Sequence, residues 1–255
     1  MEGPIGMAGV ALVIPFFNER DRLNLSELKE LSERAADNLD CYLVDDGSTD
    51  DYTLEIFTYI AKEKLNNIYV IKTPFNNGKS EAIRFGANNI DLLEYKFLGI
   101  TDADFSASPT EIMRLAVIAL EGENKYVFGA RIRNGTNIIE TSWFRYLQGL
   151  LFNRSVTLIL GQRFLDSQCG LKYFLVDTNL IEALKKPFTN RWLFDLEIIL
   201  RLSKLDTIKV SEVILNKWVH TKGSKTSIKD IIPVFLALLS LRLRYGKCFV
   251  IAEKL

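Results

Sequence analysis

Short apolar segments alternate with amphipathic ones through the first half of the chain, and this limits the available folds more than any other feature. Strand patterns fall at residues 10–14, 41–44, 68–71, 97–100 and 126–128, with helix patterns between them at 22–36, 53–64, 80–89 and 109–120. Strands joined each time by a helix are βαβ units, so the chain is expected to be an α/β protein with a mainly parallel, Rossmann-like sheet flanked by helices. In such sheets ligands sit at the carboxyl ends of the strands. The loops there are 15–19, 45–50, 73–79, 102–108 and 130–137, and they hold nearly all the unusual polar residues.

The second half reads differently. A long helix is expected over 143–160, an irregular stretch over 162–173, a strand over 171–175, a helix over 192–205 and a strand over 207–215. A polar basic loop, 216–227, precedes an apolar helix near 228–244. No linker rich in Pro, Gly or Ser divides the chain. Residues 1–255 therefore read as one domain, with lobes at about 8–137 and 138–227 and a terminal apolar helix at about 228–245.

Composition removes several classes of function. Lys plus Arg and Asp plus Glu both total 32, and a neutral chain is a poor candidate for nucleic-acid binding through phosphates. Cys41, Cys169 and Cys248 are too far apart for a disulfide framework or paired-thiol zinc spacing, which suggests a reducing compartment. The single histidine, His220, reads as a loop residue and leaves no His pair or Ser-His-Asp triad. Carboxylates are left to carry any chemistry. The start of the chain lacks the pattern of a secretory signal, and the apolar run 231–243 contains Pro233 and Arg242. That run is shorter than the roughly 20 residues a bilayer-spanning helix needs, so no crossing of a membrane is expected.

Several constellations sit on the strand-end loops. Asp102 and Asp104, one residue apart after a buried strand, suit a hard divalent cation if the chain turns there, and equally suit a solvated turn. In Asp45-Asp46-Gly47-Ser48-Thr49-Asp50, the first two carboxylates are read as nucleotide ligands and the later residues as caps of the next helix. Asn76-Asn77-Gly78-Lys79-Ser80 opens a helix where an anion is favoured, without the spacing of a phosphate-binding Walker loop. Arg131 and Arg133 stand at another strand end, and Asp166 lies in the irregular segment. Asp195 opens a helix, where it is also a favourable dipole partner. Trp143, Trp192 and Trp218 are read as core or groove packing.

The order of these pieces resembles the family 2 glycosyltransferases of the A-type nucleotide-sugar fold. Within them it is similar to the polyprenyl-phosphate hexosyltransferases, in particular the dolichyl-phosphate glucosyltransferase branch. The stretches are IPFFNE (14–19), VDDGSTD (44–50), NNGKSEAIRFG (76–86), TDAD (101–104), GAR (129–131), DSQCGLKYF (166–174), RWLFDLEII (191–199) and EVILNKW through GSK (212–225). The resemblance implies donor contacts from Pro15, Glu19, Asp45, Asp46, Lys79, Asp102, Arg131 and Lys225, and Mg²⁺ or Mn²⁺ on Asp102 and Asp104. It also implies active-site carboxylates at Asp166 and Asp195. Gln-Cys-Gly-Leu-Lys in place of the mannosyltransferase Ser-Gly-Phe-Arg tilts the donor from GDP-mannose to UDP-glucose. Ser106 stands where some relatives place a Gln metal ligand.

The activity implied is inverting transfer of a hexose to a polyprenyl phosphate on the cytoplasmic side, with no nucleic-acid partner. Transfer from sugar to sugar in surface polysaccharide synthesis, or of mannose from GDP-mannose to a polyprenyl phosphate, is the alternative, and nucleotide-sugar binding without turnover is a further one. Because the chain lacks a span, peripheral membrane contact falls to the apolar helix at 228–244. Lys222, Lys225 and Lys229 flank it on one side and Arg242, Arg244 and Lys247 on the other. Burial in the protein's own core is the competing reading of that helix.

Overall fold

The computed structural model describes residues 8–161, 163–205, 208–221, 231–246 and 250–254. Its strands are β1 (Ala8–Phe16), β2 (Leu39–Asp45), β3 (Ile68–Lys72), β4 (Tyr95–Ile100), β5 (Tyr126–Ala130), β6 (Ile138–Glu140), β7 (Lys172–Leu175), β8 (Ile208–Ile214), β9 (Lys217–Val219) and β10 (Val250–Lys254). The helices are α1 (Leu25–Ala35), α2 (Tyr52–Glu63), α3 (Lys79–Asn88), α4 (Pro109–Glu121), α5 (Trp143–Leu160), α6 (Thr178–Lys185), α7 (Phe194–Leu202) and α8 (Ile231–Tyr245).

Eight strands form one sheet in the order β10-β8-β5-β7-β4-β1-β2-β3. Every neighbouring pair is parallel except those of β7, which runs antiparallel to both β4 and β5. The expected mainly parallel α/β sheet is therefore present. Side chains of a strand alternate between faces, and a central parallel strand must be covered on both. In β1, Ala11 and Val13 join a buried cluster with α3, α6 and α7, whereas Val10, Leu12 and Ile14 join a second cluster with α1, α2 and α4.

Local chemistry sets the boundaries that differ from the sequence reading. The helix expected from residue 22 starts at Leu25, because the Asn24 side chain caps it by accepting the Ser26 N–H. The helix expected over 192–205 is limited to Phe194–Leu202. Asn190 Oδ1 accepts the N–H groups of Trp192 and Leu193 and holds that stretch as a turn. The basic loop at 216–227 begins instead with a strand, since β9 pairs in parallel with β6 to make a separate two-stranded sheet. Helix α6 and strands β6 and β10 lie where the sequence predicts no element.

Helix α8 packs against α5 and α7, and its Leu238 and Leu241 belong to the main core. Phe235, Leu236, Leu239 and Leu243 remain exposed. The core reading thus holds for one side of this helix, and its other side carries exposed apolar side chains. The structure begins the helix at Ile231, and residues 222–230, with Lys222, Lys225, Ile228 and Lys229, lie outside the described residues. Lys247 also lies outside them.

Candidate active site

The carboxyl ends of β1, β2, β4 and β5 open into one cleft of about 1160 Å³. From the sequence-predicted set it brings together Pro15, Glu19, Asp46, Lys79, Asp102, Asp104, Arg131 and Asp166. Asp45 and Asp195 are not on its wall, and Lys225 lies outside the described residues.

Asp45 and Asp46 divide the work expected of them jointly. Asp45 is fully buried; its carboxylate accepts the Ser48 N–H (2.7 Å) and the Thr53 hydroxyl (2.7 Å), which ties the loop after β2 to α2. Asp46 faces the cleft and accepts two backbone N–H groups, from Asn77 (3.0 Å) and Gly78 (2.8 Å). Burial raises the Asp46 carboxyl above its ordinary value, against the opposing pull of those two bonds. Gly78 has φ of +91°, and a Cβ there would meet Arg191 Nε at 2.5 Å. Glycine thus lets Arg191 close over the start of α3. Replacing Asp45 with Ala is expected to act on stability, leaving the buried Thr53 hydroxyl and the half-buried Ser48 N–H without their acceptor at about 2 kcal/mol. Tm should fall by about 5 °C with nucleotide affinity unchanged. Thermal unfolding and titration with UDP check this; a loss of affinity without a loss of Tm would refute it.

The Asp-x-Asp pair lies on a tight turn after β4. Phe105 is buried with φ of +47°, a conformation costly for a bulky side chain. Asp104 Oδ1 accepts the Ser106 N–H (3.0 Å), so Ser106 braces the carboxylate through its backbone. Each carboxylate carries its own cation: Lys79 donates to Asp102, and Arg22 to Asp104. Arg22 also lies 3.2 Å from Glu19. Partial desolvation opposes ionisation of Asp102, but Lys79, with Arg131 and Arg22, outweighs it and holds the carboxyl below the usual range. Behind the pair, Gly170 leaves no room for a Cβ, which would stand 2.2 Å from Asp102 Oδ2.

Across the cleft, Arg131 grips Asp166 through Nε (2.6 Å) and Nη2 (2.9 Å), and its backbone N–H donates to the same carboxylate (3.0 Å). Burial would raise the Asp166 carboxyl, yet Arg131 brings it below the ordinary range. The guanidinium stacks 5.0 Å over the ring of Trp218, which β9 delivers. His220, read from sequence as a loop residue, lines this wall, and its N–H donates to Glu140 O. Burial, reinforced by Arg145, lowers its pKa. Trp192 lines the cleft, Trp218 is buried and Trp143 is exposed on neither core nor cleft.

Asp195 lies behind the cleft in an ion pair with the fully buried Lys172. Arg22, Gly170, Arg191 and Arg145 are the functional candidates that the sequence reading did not single out, and Trp218, read as core or groove packing, proves to be both. Arg191, Gly170 and Trp218 stand inside quoted motifs; nothing in the local sequence marks Arg22. Among the described residues, no group of three or more His, Cys, Asp or Glu side chains converges to hold a metal.

A mainly parallel sheet with one reversed strand, its carboxylates gathered at the strand ends and a small second sheet closing the far wall, defines the A-type fold of nucleotide-sugar glycosyltransferases. Glucosyl-3-phosphoglycerate synthase from Mycobacterium tuberculosis, solved with Mn²⁺, UDP and phosphoglyceric acid, shares it. That structure aligns at a TM-score of 0.67 over 94% of this chain and 79% of that one, with 17% identity. The chain belongs to the glycosyl transferase family 2, whose family model matches residues 11–184. It is similar to the dolichyl-phosphate beta-glucosyltransferase of Dictyostelium discoideum, 27% identical over 96% of this chain and 77% of that protein. The human dolichyl-phosphate beta-glucosyltransferase is 28% identical over 92% and 75%.

Proposed function

We propose that this family 2 glycosyltransferase moves glucose from UDP-glucose, with inversion, to a polyprenyl phosphate at the cytoplasmic face of a membrane. The observation that carries the reading is the continuity of the cleft. It runs from the polar strand ends, past Arg145 and Gln148, into an apolar groove lined by Leu150, Leu151 and Phe152 of α5 and Val234 and Phe235 of α8. A nucleotide diphosphate suits the first part, and a lipid carrying a phosphate head suits the second. The names of the dolichyl-phosphate relatives support the same pairing.

The donor set fits a hard divalent cation in one way. Asp102 and Asp104 would supply two oxygen ligands in exchange for contacts with Lys79 and Arg22, and the rest of the shell would be left to diphosphate oxygens and water, the manner in which Mg²⁺ is commonly held. When bound, the metal would neutralise charge developing on the departing UDP. Lys79 places a further positive charge at Asp102 for the same purpose, and Asp46 stands at the nucleoside end. The diphosphate already has Lys79 beside it, so Arg131, fixed by Asp166, is assigned to the acceptor phosphate.

A phosphate acceptor is anionic at neutral pH and needs no proton removed, whereas a sugar hydroxyl needs a general base with a pKa near neutrality. Of the two carboxylates that the family resemblance offers for that role, Asp166 is committed to Arg131 and Asp195 is paired with Lys172 behind the wall. This favours the phosphate over the sugar-to-sugar alternative. Radiolabelled UDP-glucose with polyprenyl phosphate and Mn²⁺ should yield label in the organic phase. Label appearing only in aqueous glycan, or none at all, would overturn the proposal.

Membrane contact follows from the same two helices. Exposed Leu147, Leu150, Leu151 and Leu158 on α5 accompany Leu236, Leu239 and Leu243 on α8, and α5 packs against α8. No helix among the described residues is long and apolar enough to cross a membrane. Removing everything after residue 227 would take Leu238 and Leu241 out of the core, so surface charges test the idea better. Leu158→Glu with Leu243→Glu, at positions 85% and 88% exposed, should leave Tm unchanged. Flotation with anionic vesicles should weaken at least about tenfold, the scale of withdrawing two leucines from an apolar phase. Undiminished flotation would reject these helices as the contact.

A further inference from the structure

Two charged side chains sit deep in the sheet and take no part in the cleft wall: Lys172 on β7 and Glu212 on β8, each 1% exposed. They flank β5, since Phe128 is in register with both. Both reach the short segment that carries Asp166. The two oxygens of Glu212 accept the N–H groups of Leu165 (2.8 Å) and Asp166 (3.0 Å). Lys172 Nζ donates to the Ser167 carbonyl (2.9 Å) and to the Asp195 carboxylate at the start of α7. Asp195 Oδ1 in turn accepts the Leu196 N–H (2.8 Å).

Buried charges are costly, and well-packed apolar residues often replace an ion pair without loss of stability. Two of them here, from separate strands, converge on one stretch of backbone, and the third, Asp195, is the partner of Lys172. A carboxylate gripping two N–H groups and an ammonium gripping the next carbonyl fix that backbone from opposite sides. The segment cannot slide without leaving a buried charge unmet. The Lys172–Asp195 pair also joins it to the stretch carrying Arg191 and Trp192, which form another part of the cleft wall.

We propose that Glu212 and Lys172 are positioning residues for hexose transfer, pinning residues 165–167 so that Asp166 holds Arg131 in its working direction. This rests on the reading of Arg131 given under Proposed function. Neither residue touches substrate; each acts through Asp166.

The test uses the full chain with two variants. Glu212→Gln leaves one oxygen for two N–H donors. Lys172→Met combined with Asp195→Asn removes both charges of the pair together, so that no lone charge remains buried. After correction for the folded fraction, each should lower kcat by between about ten- and a hundred-fold, with KM for UDP-glucose nearly unchanged. A residue of purely structural importance would lower the folded fraction instead. A second measurement needs no turnover: hydrogen exchange at the Arg131 Nε–H, protected in the wild type by Asp166, should become fast in both variants. Wild-type kcat in folded variants, or unchanged Arg131 protection, would overturn the positioning role. Fast exchange in the variants with no transfer by the wild type to any acceptor would uphold it and refute the reaction assigned to the chain.

Discussion

Asp104→Asn is expected to lower hexose transfer by about a thousand-fold, the scale of losing a group that stabilises transition-state charge. The carboxylate is held in place by the Ser106 N–H and by Arg22, and it faces the cleft beside Asp102. Asparagine keeps the shape and one acceptor oxygen but loses the charge that a divalent cation requires. Arg22 keeps Glu19 as a partner, so Tm should hardly move. Excess EDTA should abolish the wild-type activity in parallel, and added Mn²⁺ should restore it. Full activity in EDTA, or near wild-type transfer by the variant, would remove the metal from the mechanism.

The second large effect concerns a residue with no side chain. A Cβ at Gly170 would stand 2.2 Å from Asp102 Oδ2 and 2.8 Å from Cγ, so the carboxylate must swing aside in Gly170→Ala. Asp102 is 35% exposed and has room to move into the cleft, which keeps the cost to stability small. The cost to catalysis is not small, because displacing a positioned group by about 1 Å can lose a hundred-fold in rate. The expected result is a protein with wild-type Tm and about a hundred-fold lower kcat. An unchanged kcat would mean that the place of Asp102 is not critical.

The strand-end loops were legible in the sequence because a parallel sheet puts the carboxyl ends of its strands on one side, whatever the details of packing. Which carboxylate of a pair faces the cleft was less legible. Asp45 ends β2 and turns inward to Ser48 and Thr53, while Asp46 beside it points out, a difference carried by strand alternation rather than by residue type. Asp195 reads in sequence as a dipole partner at a helix start, with an active-site role only from the family resemblance, and only the fold brings Lys172 of β7 to it. Arg22 reaches Asp104 from a turn far away in sequence and belongs to no motif. Strands β6 and β9, three residues each in polar surroundings, exist because two distant segments meet, and a periodicity so short carries no signal. For α8, an apolar surface nearly all round was visible, but the split between Leu238 and Leu241 inward and Leu236 and Leu243 outward depends on where α5 and α7 lie.

The reversed strand β7 bears on when the protein becomes active during its synthesis. Strands β4 and β5 end in the Asp102 and Arg131 loops, yet they are not neighbours; β7 lies between them and pairs with both. A nascent chain that has emerged as far as β5 already holds Asp46, Lys79, Asp102, Asp104 and Arg131, but it lacks the strand that spaces the last of these from the others. Domains form as units, and contacts distant in sequence form late. The two halves of the cleft are therefore brought to their working separation only after residues 172–175 leave the ribosome. A half-made chain carries the donor-side groups without an assembled centre in which to use them.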